Sequence, residues 1–232
     1  MRGRMDYRVS REAHELYPVF QFMTDNPVIP GEGESTSSSL LNRSMQEDPV
    51  AWARLVSLYG PLVYCWCRKW GMQPADAENI GQETFLKVVR KIKSFNAAQA
   101  GASFRGWIYR IAHRSLVDYV RKQKAEMSGV GGSDGQTRLL QVESEYPRDD
   151  GSESTCTSEE TSLLYSKAIE LIRSEFSDRD WQAFFRVVVD GQDPCDIAEE
   201  LDVSTNVVYL AKSRILRRLK QEFVGLLPDF SR

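Results

Sequence analysis

The sequence predicts an all-α protein of two small helical domains joined by a flexible acidic linker. Three observations lead there. Apolar side chains recur every three or four residues from about Pro49 to Lys124 and again from about Thr161 to Phe223, the period of one helix face. Between these blocks the chain loses that period for roughly 30 residues, longer than structureless segments usually run inside a compact domain. That stretch is also acidic: Ser133 to Glu160 holds eight acids against Arg138 and Arg148. The implied layout is a disordered N-terminal extension over 1–45, a first helical domain over 46–126, the linker over 127–160, a second helical domain over 161–225 and a tail over 226–232.

The chain has 232 residues, 41% hydrophobic and 10% aromatic, so a packed interior is feasible over at least part of its length. No apolar run approaches the roughly 20 residues needed to span a bilayer, and no membrane insertion is expected. The first residues carry early arginines but no continuous apolar stretch of the kind a secretory signal needs. Cys65, Cys67, Cys156 and Cys195 form no disulfide framework, as expected of reduced thiols in a cytoplasmic protein. His14 and His113 lack partners at metal-ligand spacing, and no nucleophile–base pair or Gly-rich phosphate loop occurs. No metal or cofactor is expected, and the chain does not read as an enzyme.

The N-terminal stretch Glu32 to Ser39 is polar and of low complexity. Met23, which opens MTDNPVIPGEGES, is expected as an alternative start to Met1. The helical pattern opens with Trp52, Leu55, Val56 and Tyr59, and continues through Leu62, Val63, Trp66 and Trp70 after Gly60-Pro61, where a proline is expected to restart or kink the helix. Gly71 closes the segment. From Pro74 to Phe95 a second helix turns Ala77, Ile80, Thr84, Phe85, Val88 and Ile92 inward. Its acids (Asp76, Glu78, Glu83) precede its cations (Lys87, Arg90, Lys91, Lys93), the order that suits the helix dipole.

A third helix, Phe104 to Lys124, has two unlike faces. Phe104, Ile108, Ile111, Ala112 and Tyr119 are expected inward; Arg110, Arg114, Val117 and Arg121 lie opposite, with Trp107 at the border. A cationic face edged by an aromatic suits a phosphate backbone with unpaired bases beside it. After the linker, Tyr165, Ala168, Ile169, Ile172 and Phe176 form one stripe, and Ser177 caps a helix carrying Trp181, Phe184, Phe185 and Val188 that ends at Asp190-Gly191.

Asp193 to Lys220 reads as a helix-turn-helix. Asp193 caps a helix with Pro194 at its first position, Asp202-Val203-Ser204 is the turn, and Ser204 caps the next helix. Val207, Val208, Ala211, Ile215 and Leu219 face the first helix. Thr205, Asn206, Tyr209, Ser213, Arg217 and Lys220 face outward, where such groups reach base edges and phosphates from a major groove.

The net charge of −3 argues against a free-standing DNA-binding domain, but the charge is unevenly placed. Arg105 to Lys124 holds six Lys/Arg against Asp118, and Lys212 to Lys220 holds five with no acid.

Taken together, these segments resemble the bacterial RNA polymerase sigma factors of the sigma-70 family, in particular the extracytoplasmic-function (ECF) class. The resemblance covers about Pro49 to Phe223 and rests on three segments in the family's order: Asp76 to Val88, Phe104 to Lys122 and Asp196 to Leu219. It implies that Asp76, Glu78, Gln82, Glu83 and Phe85 dock on the clamp helices of the core polymerase's largest subunit, with the flap as a further contact. It implies that Phe95 to Ser103 captures a flipped base, and that Arg105, Trp107, Arg110, Arg114 and Arg121 contact and melt the minus-ten element. Thr205, Asn206, Tyr209, Ser213, Arg217 and Lys220 would read the minus-thirty-five element. Core RNA polymerase and promoter DNA are the implied partners, and an anti-sigma protein is a further partner known for many members.

The sequence departs from the family pattern at Arg114, where asparagine is frequent, and at His113, where arginine is. Gly81 replaces an aliphatic residue, and Asp202 replaces a turn glycine. The alternative reading, a stand-alone helix-turn-helix regulator, accounts for Asp193 to Lys220 but leaves the acidic second helix and the Trp107 helix without a role.

Overall fold

The computed structural model describes residues 39–96, 103–128 and 157–227. Among them are eight α-helices and no strand: α1 (Leu40–Met45), α2 (Pro49–Lys69), α3 (Pro74–Lys91), α4 (Phe104–Ser128), α5 (Ser158–Ile172), α6 (Asp178–Val188), α7 (Pro194–Glu200) and α8 (Thr205–Glu222). The protein is all-α, as the periodicity predicts. Short 3-10 turns follow α3 at Ile92–Ser94 and α5 at Arg173–Glu175. No described helix is long and apolar enough to cross a membrane. Most of the acidic linker lies outside the described residues. Its last part does not: Ser158 to Glu160 already belong to α5, whose N-cap Thr157 accepts a hydrogen bond from the Glu160 amide.

The chain divides into two compact units. One comprises 59–155, the other 1–58 together with 156–232. In the first, α3 packs on α4. Its core takes Tyr59, Leu62, Val63, Trp66 and Cys67 from α2, Ala77, Ile80, Thr84 and Val88 from α3, and Phe104, Ile108, Ala112 and Leu116 from α4. Edge-to-face aromatic pairs join these elements, with Tyr59–Phe104 at 5.4 Å, Phe95–Phe104 at 5.1 Å and Trp66–Tyr109 at 5.0 Å between ring centroids.

α2 runs unbroken through Pro61, so the restart expected at Gly60-Pro61 does not occur. A proline inside a helix costs about 3 kcal/mol and a glycine about 1 more. Leu58, Tyr59, Leu62 and Val63 flank the pair and are fully buried, each contributing roughly 1.5–3 kcal/mol, and burial wins. The exposed Val56 is a second departure, since Leu58 and not Val56 completes the buried stripe. Gly71 ends the helix as expected. It adopts φ +82°, while its amide donates to the Arg68 carbonyl (3.0 Å) and the Met72 amide to the Cys67 carbonyl (3.1 Å).

In the second unit α8 packs on α5, α6 and α7. Tyr165, Ala168, Ile169 and Ile172 from α5 are buried with Phe184 and Val188 from α6 and Val208, Ala211, Ile215 and Leu219 from α8. α1 is a helix that the sequence places inside the N-terminal extension. Ser39 caps it, accepting from the Asn42 amide at 3.4 Å, and Leu40, Leu41 and Ser44 are buried. Asp48 then starts α2, its carboxylate accepting from the Val50 (2.8 Å) and Ala51 (3.3 Å) amides.

Candidate nucleic-acid and docking surfaces

The first candidate surface is built on α4. Ser103 precedes the helix and its hydroxyl accepts from the Gly106 amide at 3.0 Å, which fixes where the helix begins. With the apolar face buried against α3, Arg110, Arg114, Arg121 and Lys122 fall on the exposed side. Trp107 is half-buried at the border. Its ring lies 5.4 Å from Phe95 and 5.4 Å from Phe104, so an aromatic platform is held rigid beside the cationic stripe. Such a platform offers a π-face for a base and a stripe for the backbone.

Arg105, which the resemblance groups with the minus-ten surface, is buried in the structure, 6% exposed, with its guanidinium carbon 5.6 Å from the centroid of the Trp66 ring. One residue before Gly106 on the helix, it falls on the face that α2 covers. Residues 97–102 of the proposed base-capturing loop lie outside the described residues. Phe95, at its start, is buried under Phe104 and Trp107.

The acidic surface sits on α3. Glu78, Gln82 and Glu83 are exposed, and Phe85 is half-buried. Asp76 accepts a hydrogen bond from the Tyr119 hydroxyl of α4, which in turn accepts one from Gln123 at 2.7 Å. That bond raises the Tyr119 pKa, because the neutral hydroxyl is the donor. Lys87 and Asp118 make a second tie between the two helices at 2.7 Å. Between them α3 and α4 leave a groove of about 580 Å³ edged by Gln82, Glu83 and Leu86 on one side and Ser115 and Lys122 on the other. Leu86, 51% exposed, is an apolar rim of this groove, and Val89 one turn on is exposed too; the sequence reading did not single out either. The available signal was their position on α3 opposite the inward stripe.

The third candidate surface is the outer face of α8. Asp193 caps α7, accepting from the Cys195 amide at 2.7 Å, with Pro194 at the first helical position. The turn into α8 is set by Asp202 at φ +51°, the left-handed region usually left to glycine. The Asp202 amide donates to the Glu199 carbonyl (3.2 Å) and the Val203 amide to the Ala198 carbonyl (2.9 Å), so aspartate does the work of the expected glycine. Val203 packs on the cluster of Ala183, Ile197, Ala198, Val208 and Ala211 that holds α6, α7 and α8 together. Ser204 occupies the N-cap position of α8, but its side chain makes no capping bond.

With that cluster beneath it, α8 presents Asn206, Tyr209, Arg217 and Lys220 to the outside, and Thr205 and Ser213 at half exposure. The basic run is thinner than its sequence count. Arg218 turns inward to Glu175 and Glu222, and partial burial of Lys212 pushes its pKa down. Arg214, Arg217 and Lys220 remain on the exposed face. Among the described residues, the thiols of Cys65, Cys67 and Cys195 do not join any of these surfaces into a chemical site. Cys67 is buried, which pushes its pKa up to about 12, and no group of three or more His, Cys, Asp or Glu among the described residues has metal-binding geometry.

Comparison with known proteins places this chain among relatives. The family model described as Sigma-70 region 2 matches residues 55–126, which include α3 and most of α4. The chain is similar to the ECF RNA polymerase sigma factor SigW of Bacillus subtilis, 32% identical over 98 residues, covering 41% of this chain and 51% of the relative. It is 28% identical to the ECF RNA polymerase sigma factor SigE of Mycolicibacterium smegmatis over 101 residues, covering 43% of this chain and 38% of the relative. To the RNA polymerase sigma factor NccH of Alcaligenes xylosoxydans xylosoxydans it is 26% identical over 100 residues, covering 43% of this chain and 52% of the relative. The chain thus spans about half or less of the length of these curated relatives.

Proposed function

We propose that this chain, which belongs to the extracytoplasmic-function class of the sigma-70 family, binds core RNA polymerase in the cytoplasm and directs it to specific promoters. The role is that of an initiation factor and not of a catalyst. In this reading residues 46–126 dock on the polymerase and open the DNA, and residues 161–225 hold the upstream element. The exposed carboxylates Glu78 and Glu83, with Gln82 and the apolar rim of Leu86, form the polymerase-facing side of α3. Asp76 contributes through its bond to Tyr119. Arg110, Arg114 and Arg121 hold the separated strand of the minus-ten element while Trp107 stacks on a freed base. Thr205, Asn206, Tyr209, Ser213, Arg217 and Lys220 read or hold the minus-thirty-five element in the major groove.

One observation carries the reading. The residues that match region 2 are the same residues that set a rigid aromatic, Trp107, beside a row of exposed arginines. Opening duplex DNA costs about 1.4 kcal/mol per base-pair step. Stacking returns roughly 1–3 kcal/mol per base, so an aromatic beside a cationic stripe can offset strand separation. An α4 with arginines alone would bind the backbone without favouring the open state.

The test is transcription reconstituted from core polymerase, the full chain and a genomic promoter library. Defined start sites that depend on the added protein are expected, and Trp107→Ala should reduce permanganate-reactive bubbles more than initial promoter binding. If the chain neither associates with core polymerase nor directs any start site, while still binding duplex DNA, it is a free-standing regulator and this proposal is wrong.

A further inference from the structure

We propose that Leu210 is a specificity-determining residue that packs against the C5-methyl group of a thymine in the upstream element. The inference rests on the reading of α8 as the helix that enters the major groove there. Among the residues of α8, Leu210 is out of place. The buried side of the helix is made by Val208, Ala211, Ile215 and Leu219, yet Leu210 is 42% exposed. Its spacing puts it in the middle of the outer face. Asn206, Leu210, Ser213 and Arg217 follow one another at four, three and four residues, which is one stripe of an α-helix.

A large apolar side chain in that row costs solubility and adds little to the core. Its neighbours argue for what covers it. Arg214 and Arg217 lie one and two turns further along, and Asn206 one turn before. The occupant of this face is therefore an anion that offers hydrogen-bonding edges as well, which describes duplex DNA. Within a major groove the thymine methyl is the apolar group on a base edge, and it is the feature that separates thymine from cytosine for a side chain without donors or acceptors. Asn206 and Ser213, on either side of Leu210, supply the polar contacts to neighbouring bases. The stripe then reads as polar, apolar, polar, cationic, and the apolar position demands a methyl.

The experiment uses the full chain bound to core RNA polymerase, with wild type and Leu210→Ala side by side. Each holoenzyme selects from a pool of duplexes randomised across the length of a promoter. The enriched upstream element is then resynthesised with deoxyuridine replacing its thymines one at a time, which deletes only the methyl. Wild type should enrich a thymine column, and at that position should lose roughly fourfold in affinity on deoxyuridine, the effect of one buried methyl. Leu210→Ala should bind the thymine duplex about fourfold less well and be indifferent to the methyl there.

The inference is overturned if wild type binds thymine and deoxyuridine duplexes alike, or if the variant keeps the same methyl dependence. It is overturned equally if the variant weakens binding by one factor on every duplex, which would mark Leu210 as a contact to protein. If wild-type holoenzyme enriches a downstream element but no upstream one, the failure lies in the reading of α8 and takes the assignment with it. Because deoxyuridine alters the DNA and leaves wild-type protein intact, misfolding of the variant cannot imitate the expected result.

Discussion

Truncating Arg105 to alanine removes a guanidinium that lies over the Trp66 ring, almost wholly out of solvent. A desolvated cation–π contact is worth about 2 kcal/mol, so Arg105→Ala should lower the free energy of unfolding by roughly that amount in urea titrations. Arg110→Ala should behave in the opposite way. Its side chain is exposed, stability should shift by less than about 0.5 kcal/mol, and promoter affinity should fall with a salt slope reduced by about one. Equal stability effects for the two would show that burial at Arg105 carries no energetic weight. The pair illustrates what one residue's number can and cannot say. Spacing put Arg110, Arg114 and Arg121 outside correctly, because they sit well away from the apolar stripe. Arg105 joins that surface only through the resemblance, and it is buried because a long side chain near the helix start can lay its stem along the core and carry its charge to an aromatic face.

At the scale of elements, the pairing of α3 with α4 has a pH signature. The Tyr119 hydroxyl donates to Asp76, and that bond raises the tyrosine pKa above its ordinary value near 10. A raised folded-state value means that the contribution is complete below the unfolded value and is lost as pH rises through the folded one. The urea midpoint of the wild type should therefore fall on going from pH 9 into strongly alkaline solution more steeply than that of Tyr119→Phe, which has no proton to lose. Parallel profiles would show that the bond contributes nothing to the pairing.

Element positions were largely legible because apolar spacing and end signals agreed. Pro74, Pro194, Gly71 and Asp193 stand where helices begin or stop. What spacing could not weigh was competition between local cost and tertiary burial. Pro61 reads locally as a break, and only the burial of Leu58, Tyr59, Leu62 and Val63 carries α2 through it. Asp202 shows the converse. Its departure from the family's glycine was visible in sequence, and its left-handed backbone is tolerated because a short polar side chain suffers least there.

On the scale of the whole chain, contacts between distant segments were the least legible part. Glu222, at the end of α8, is completely buried, and nothing in its local sequence marks it as different from Glu199 or Glu200. Its partners come from three places. Arg218 donates to its Oε2 at 2.8 Å, Arg54 of α2 approaches Oε1 at 3.4 Å, and Arg43 of α1 lies at 3.8 Å. Glu175 joins the same cluster by accepting from both Arg54 and Arg218. Arg54 also donates to the Leu171 carbonyl at 3.2 Å, so residues 39–58 are integrated with the helices of 157–227.

The energetics predict an order of effects. Removing one partner of a buried ion cluster costs about 3–5 kcal/mol when it leaves uncompensated charge inside. A longer, partly solvated ion pair is worth roughly 0–1 kcal/mol. Glu222→Ala should therefore destabilise the full chain by several kcal/mol, with hydrogen-exchange protection lost together in α1, α5 and α8. Arg43→Ala removes the longest of the three links to Glu222 and a partly solvated pair with Asp48 at 2.7 Å, so it should cost about 1 kcal/mol and leave α5 and α8 protected. A cost below about 1 kcal/mol for Glu222→Ala, with α1 still protected, would mean that α1 is held by Leu40 and Leu41 alone. The charges would then be bystanders, and Glu222 would be buried at a net cost that the apolar contacts around Phe223 and Leu226 must offset.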